Sequence, residues 1–316
     1  MIKDKKILVT GGAGFIGSHI VEYLLNNDVK LVRVVDNLST GFYHNIEPFN
    51  KYNNFEFVLG DIQDENLCHN VLKDIDLICH QAALGSVPKS INDPVAFHKS
   101  NVDGFLTLLN TAKKCGIKRF VYASSSSVYG DNQNLPKLEN SIGKQLSPYA
   151  ITKFIDELYA NIYTELYGME CIGLRYFNVF GPRQNPNGSY AAVIPKFINE
   201  LSQNKQVCIN GDGTFSRDFT FVNNVVDANI KGLLTQNKDC FGQVFNVGTG
   251  NSISIKDLYY KIMTLLGKNL NPIYMDKRIG DIPHSLANID KAKKLLDYNP
   301  IFDLDTGLLM TINNLN

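Results

Sequence analysis

Tyr149 and Lys153 stand four residues apart in the run Tyr149-Ala150-Ile151-Thr152-Lys153. On a helix, residues at i and i+4 share one face, with Cβ atoms about 5–6 Å apart. An ammonium at that spacing biases a phenol toward phenolate. One positive charge at ~4 Å, in a medium of effective dielectric ~20, contributes about 4 kcal/mol. That is roughly the free energy separating a free phenol, which ionises near pH ~10, from one that ionises near neutrality. The chemistry such a pair can do is proton abstraction. Alone it is a weak signal, because an aromatic and a charge share a face on many surface helices. Its company decides the matter.

That company starts at the N-terminus. Ile7, Leu8 and Val9 form a short apolar run leading into Thr10-Gly11-Gly12-Ala13-Gly14-Phe15-Ile16-Gly17, and an amphipathic stretch follows over 18–25. Strand, glycine turn and helix are the context a dinucleotide fingerprint requires. Glycine is needed where the backbone turns tightly, where it approaches a pyrophosphate, and where helix packs on strand. The free N–H groups and dipole of the helix N-terminus then suit phosphate. The chain matches G-x-G-x-x-G at Gly12, Gly14 and Gly17, and the wider G-x-x-G-x-x-G at Gly11, Gly14 and Gly17. A second expected strand, 30–35, ends in Asp36, nineteen residues after Gly17. A carboxylate there accepts from ribose hydroxyls and repels a 2′-phosphate, so NAD is favoured over NADP. An oxidised nicotinamide adds to the charge of Lys153 and makes Tyr149 a proton acceptor at neutral pH.

Composition sets the bounds. With 316 residues the chain has room for two lobes or one large α/β unit. Apolar residues make up 44% and charged residues 20%, an ordinary globular balance. Lys+Arg and Asp+Glu are both 31, so net charge gives no argument for nucleic acid or an acidic membrane as partner. The six cysteines and six histidines show neither C-x-x-C nor H-x-x-x-H spacing, which argues for reduced thiols and against a zinc site. No run approaches the ~20 apolar residues of a membrane span, and the expectation is a cytoplasmic protein.

The elements that must hold the pair in place can be read along the chain. Strands are expected at 55–59, 77–80, 119–123 and 170–176, with helices at 65–72, 95–115 and from Pro148 onward. Such alternation implies a parallel sheet covered on both faces, with ligands beyond the carboxyl ends of its strands. The glycine loop, Asp36, Ala82 and the serine run 124–127 all fall at such ends. After Asn178 the rhythm changes. A Gly/Pro/Asn/Ser-rich loop at 181–190 precedes a helix at 195–203, a strand at 207–209 and a turn at 211–213. Residues 219–222 and 244–247 read as strands returning to the main sheet, and 254–266 as a helix. The expected fold is α/β, a doubly wound parallel Rossmann sheet with a smaller discontinuous α/β substrate lobe. The nucleotide unit is expected at 1–178 and 219–247, and the lobe at 179–218 and 248–316.

Seven motifs in this order resemble the extended short-chain dehydrogenase/reductase family, and within it the nucleotide-sugar 4-epimerases. They are the glycine loop at 10–17, Gln81-Ala82-Ala83, ASSSSVYG at 123–130, the run 149–153, RYFNVFG at 175–181, RDFTFV at 217–222 and the Arg278-Ile279-Gly280-Asp281 stretch. QAALGSVPKS at 81–90, NPNGSYAAVIP at 185–195 and His284-Ser285 resemble the branch that interconverts UDP-N-acetylglucosamine and UDP-N-acetylgalactosamine.

The resemblance implies a mechanism and a site. Tyr149 takes the proton of the sugar 4-hydroxyl as the C4 hydrogen leaves as hydride to NAD. The 4-keto sugar then turns its other face and the hydride returns. Lys153 binds the nicotinamide ribose and holds Tyr149 ionised. Counting back from Val128-Tyr129-Gly130 in the family pattern selects Ser125 as the catalytic serine, with Ser126 beside it facing the sugar. The cofactor residues would be Gly11, Gly14, Phe15, Ile16, Gly17, Asp36, Asn37, Asp61, Ile62, Gln81, Ala82 and Ala83, with Asn101 and Tyr176 near the nicotinamide. Arg217 and Arg278 match contacts to the diphosphate, for which guanidinium forks are suited. Asn178, Ala192, Val193, Cys208 and Asn210 match the UDP pocket, and Asp281 a ribose contact. Gly85, Ser86 and Ser285 lie near the hexose, where serine in place of a bulky tyrosine leaves room for a 2-acetamido group. The helices 95–115 and 149–167 occupy the positions through which this family pairs two subunits, so a homodimer supplying surface-polysaccharide precursors is expected. Other outcomes are a UDP-glucose/UDP-galactose or UDP-hexuronate 4-epimerase, a reductase or dehydratase of the same fold, or an NAD-sensing binding protein. Serines at 125–127, where a dehydratase carries an Asp-Glu pair, argue against elimination of water. The catalytic tyrosine argues against a mere sensor.

Overall fold

β1 (Lys6–Thr10) alternates its side chains between two apolar layers: Ile7 and Val9 pack on one face, Leu8 on the other. In the computed structural model, which describes residues 2–187, 192–276 and 282–314, this strand is an inner strand of a seven-stranded parallel sheet. The others are β2 (Leu31–Asp36), β3 (Phe55–Leu59), β4 (Leu77–His80), β5 (Arg119–Ser125), β6 (Glu170–Tyr176) and β7 (Gln243–Val247). Their spatial order is β7-β6-β5-β4-β1-β2-β3. Cys79 and Val121 face the first layer and Ile78, Phe120 and Tyr122 the second, continuing the alternation of β1.

The helices in chain order are α1 (Phe15–Asn26), α2 (Glu65–Val71), α3 (Val87–Asn92), α4 (Pro94–Phe97), α5 (Gly104–Lys114), α6 (Pro148–Tyr167), α7 (Val193–Ser202), α8 (Val222–Leu234), α9 (Ile255–Leu265), α10 (Asp290–Leu296) and α11 (Leu304–Asn313). α1 and α8 cover one face of the sheet through Ile20, Val21, Leu24, Val225 and Val226. α2, α5 and α6 cover the other through Cys68, Val71, Phe105, Leu108, Leu109 and Ala160. This is the doubly wound architecture expected from the strand–helix rhythm.

Three details depart from expectation. Residues 219–222 do not return to the main sheet. Thr220 and Phe221 pair with Val179 and Phe180 in a separate two-stranded ladder, and Val222 already starts α8. The alternation of Phe219 and Phe221 serves the smaller lobe, where both are buried with Phe180 and Phe197. The expected helix 95–115 is interrupted at His98–Asp103 by a wider π turn carrying Asn101. The lobe core combines α7, α9 and α11 through Ile198, Leu258, Ile262 and Leu308. Yet Ala287, Ile289, Ala292, Leu296 and Tyr298 pack with the sheet, although the 248–316 stretch was expected in the lobe. α10 is amphipathic toward β7, and sequence pattern alone does not say which neighbour its apolar side will meet.

Candidate active site

The glycine loop is shaped by contacts that no side chain would tolerate. Gly11 has φ +67°, and a Cβ there would stand 2.6 Å from the Ala82 backbone nitrogen. A Cβ on Gly17 would stand 2.2 Å from the Gly11 carbonyl oxygen. α1 starts at Phe15 with Gly14 as N-cap and no capping side chain, so its first N–H groups are left for an anion. Asp36, at the end of β2, accepts from Ala13 N–H at 3.0 Å and Leu38 N–H at 2.8 Å. Burial raises its carboxyl, and those two N–H groups oppose the rise. The carboxylate thus braces the loop.

A cavity of about 480 Å³ runs from this loop to Tyr149. It is lined by Gly11, Gly14, Phe15, Ile16, Gly17, Asp36, Asn37, Asp61, Ile62, Gln81, Ala82, Ala83, Gly85, Ser86, Tyr149, Lys153, Tyr176 and Ala192. A groove bounded by an uncapped helix start, a carboxylate and a cation at its far end fits an extended dinucleotide. Asn101 is not among its walls. Its amide is buried, accepting from Leu84 N–H at 2.7 Å and donating to Leu84 O and Thr152 Oγ1, both at 3.1 Å. It bolts the segment after β4 onto α6.

α6 is well started and well stopped. Ser147 caps it by accepting from Ala150 N–H, Pro148 follows, and Gly168 ends it with φ +65°. Tyr149 therefore lies in the first turn, its backbone N–H donating to Ser90 Oγ of α3 at 3.1 Å. Its ring meets Phe97 edge-on at 6.3 Å, and its hydroxyl makes no hydrogen bond among the described residues. Lys153, one turn on, is buried and donates to Ala123 O at 3.0 Å and Asp156 Oδ2 at 3.3 Å. Below it, Thr10 Oγ1 accepts from Ala82 N–H and bonds His80 Nδ1 at 2.8 Å. Burial and the nearby Lys153 charge push the His80 imidazole down to about 3, so it is neutral.

The serine run divides its tasks. Ser124 donates to Glu157, which also holds Arg175 through both carboxylate oxygens. Ser125 Oγ accepts from Ser127 N–H at 3.1 Å and Ser127 Oγ at 2.9 Å, which leaves its own proton for a ligand oxygen. Ser126 begins the short 3₁₀ turn Ser126–Tyr129. Neither Ser125 nor Ser126 lines the cavity in this structure, whereas Ser124 does.

A second cavity of about 240 Å³ lies in the smaller lobe and is lined by Asn178, Ala192, Val193, Cys208, Asn210 and Arg217. Ala192 belongs to both cavities, so they meet there. Arg217 donates to Ser216 O and Pro283 O, tying the 283–285 strap to its strand. Ser285 is held to that strand by its backbone, with N–H to Ser216 O at 3.0 Å, and lines neither cavity. Arg278 and Asp281 lie outside the described residues. Sequence reading missed Gln184, Asn185 and Lys89 in the first cavity and Phe215 in the second. It also missed Asp156. Phe215 stands directly between the 211–213 turn and the RDFTFV motif, which was the available signal.

The family model described as NAD dependent epimerase/dehydratase matches residues 7–248. A putative UDP-glucose 4-epimerase of Methanocaldococcus jannaschii is 39% identical, with 97% of each chain covered. Among solved structures, the UDP-N-acetylglucosamine 4-epimerase of Methanobrevibacter ruminantium in complex with UDP-N-acetylmuramic acid superposes with TM-score 0.93, at 40% identity and 98% coverage of both chains. The UDP-glucuronic acid 4-epimerase of Bacillus cereus, in complex with UDP-glucuronic acid and NAD, gives TM-score 0.91 at 31% identity and 98% coverage of both chains.

Proposed function

The chain belongs to the NAD-dependent epimerase/dehydratase family, and from that premise we propose that it is a UDP-sugar 4-epimerase acting on UDP-N-acetylglucosamine and UDP-N-acetylgalactosamine. The observation that carries this reading is the union of two cavities at Ala192, with Tyr149 and Lys153 in the wall of the larger. One cavity suits a dinucleotide and the other a second nucleotide, leaving a sugar between them beside the tyrosine. Bound NAD supplies a hydride acceptor and donor. Tyr149 takes the 4-hydroxyl proton and later returns it. Lys153 fixes the charge beneath Tyr149, and Ser125 offers a proton to the same oxygen. Arg217 and Arg278 would hold the diphosphate while the hexose turns.

The acetamido preference rests on small residues: Gly85, Ser86 and Ala192 line the larger cavity together with Tyr149, and the family resemblance, not a place in either cavity wall, brings the Ser285 hydroxyl to the sugar. A non-acetylated sugar would leave such a donor unpaired at about 1–3 kcal/mol, or about one to two powers of ten in preference. Protein incubated with UDP-N-acetylglucosamine and no added cofactor should form the galacto epimer, followed by NMR. Ser285→Tyr should suppress this at least about tenfold with NAD content intact. A parent enzyme that prefers UDP-galactose would sink the substrate assignment. A second reading, a hexuronate substrate, is favoured by Lys89, an exposed cation in the cavity wall whose ammonium pairs with nothing among the described residues. UDP-glucuronate belongs in the same assay.

The chain is further proposed to act as a homodimer. Ile151, Leu158, Ile162 and Leu166 are all exposed along α6, an apolar stripe that a second copy would cover. Light scattering should give twice the chain mass; a monomer at assay concentration would count against it.

A further inference from the structure

Asp156 is used by nothing in the mechanism above, yet it touches the mechanism's cation. Its side chain is 0% exposed, Oδ2 lies 3.3 Å from Lys153 Nζ, and Oδ1 has no hydrogen-bond partner among the described residues. A wholly buried carboxylate with one idle oxygen is costly to keep. Its counterpart Glu157, next along α6, spends both oxygens on Arg175 and one on Ser124 as well. The contrast sets Asp156 apart from an ordinary structural ion pair.

We propose that Asp156 is a positioning residue for catalysis: it anchors the Lys153 ammonium against Ala123 O and sets how much of that charge is felt by Tyr149. Ala123 O and Asp156 Oδ2 accept two of the three ammonium protons, and Lys153 itself lines the cavity. When Asp156 is ionised, its negative charge opposes the effect of Lys153 on the phenol. When it is neutral, the ammonium acts alone. Asp156 is placed to change between these states, since burial drives its carboxyl up to about 7, against the pull of Lys153 and with help from the Glu157 charge. Among the described residues, other ionisable groups face this stretch of α6, Cys171 on β6 among them. Tyr122 on β5 and Arg175 on β6 lie on the sheet side, with neutral His80 on β4 beyond Lys153. Tyr129 follows β5, Lys89 is on α3, and the turn before α5 carries Lys99 and the exposed His98–Asp103 pair.

The inference rests on the reading of Tyr149 as the base. Asp156→Asn keeps the shape and an acceptor for Lys153 but removes the charge. Seven residues along a helix span ~10.5 Å, and a unit charge at that range in an effective dielectric of ~20 moves a titration by about one pH unit. The acidic limb of the kcat–pH profile should therefore move down in Asp156→Asn, by as much as about one unit where Asp156 is ionised across the limb, with KM for the UDP-sugar and NAD content unchanged. Asp156→Ser, which also lacks the charge, should move it the same way and serves if the amide does not fold. A purely structural Asp156 would lower stability and leave the limb in place in whichever variant folds, and that result overturns the proposal. Tyr149→Phe, run alongside, separates the two readings. If it stays active, the base assignment and this proposal fall together; if it is inactive while the limb is unmoved, only the role of Asp156 is refuted.

Discussion

Tyr149→Phe should lower kcat by about 10²–10⁴-fold, the usual contribution of a positioned acid–base group, while NAD remains bound and stability is unchanged. The substitution removes one oxygen. That oxygen makes no hydrogen bond within the described residues, so no buried partner is left unpaired and no folding penalty follows. What fixes Tyr149 in place is retained: the N–H bond to Ser90, the edge contact to Phe97 and the capped first turn of α6. The loss should fall on kcat with little change in KM, because the proton is moved only in the transition state. Initial-rate kinetics and the dinucleotide released on acid denaturation read both outcomes. A variant within tenfold of the parent would remove Tyr149 from the chemistry.

Glu157→Ala should destabilise the protein by about 3–5 kcal/mol, the cost of leaving one partner of a buried ion pair alone. Glu157 and Arg175 side chains are 6% and 3% exposed, and the guanidinium meets the carboxylate at 2.7 and 2.8 Å. Arg175 keeps its bond to Glu139 O and its place over the Tyr129 ring, but its charge is then unbalanced. Ser124 loses its acceptor at the same stroke. The pair ties α6 to β6, so urea denaturation should show the loss directly, and turnover should fall with it. Replacing both residues, Glu157→Leu with Arg175→Met, should cost less than the sum of the single changes. Additive losses would mean that the pair is not an energetic unit.

The parts of this site that depend on local geometry were legible in the sequence. The glycine loop could be read because turns at Gly11 and close contacts at Gly17 demand residues without Cβ. Tyr149 and Lys153 could be read because helical periodicity alone puts them on one face, and Asp36 because it ends a strand. Burial was not legible. Asp156 and Glu157 sit side by side in a helix that reads as half exposed, and only packing against β5 and β6 shows that both are enclosed. Alternating Phe219 and Phe221 announced a strand truly enough, but not which ladder it would join. The serine run offered adjacent hydroxyls, and their separation into one bonded to Glu157 and one with a proton to give depends on the exit angle of β5.

The strand order has a consequence for how the molecule is made. β3, β2, β1, β4 and β5 are spatial neighbours and all come from the first 125 residues, so they can pair while later segments are still on the ribosome. α1 already covers β1 and β2 on one face, but the part of that face over β4 and β5 stays open until α8 emerges about a hundred residues later. The smaller lobe waits longer still, because Leu308 of α11 is part of its core. A nascent chain thus owns the glycine-loop end of its groove before it owns the smaller lobe, and the open strip over β4 and β5 is what a ribosome-bound chaperone would meet in the interval.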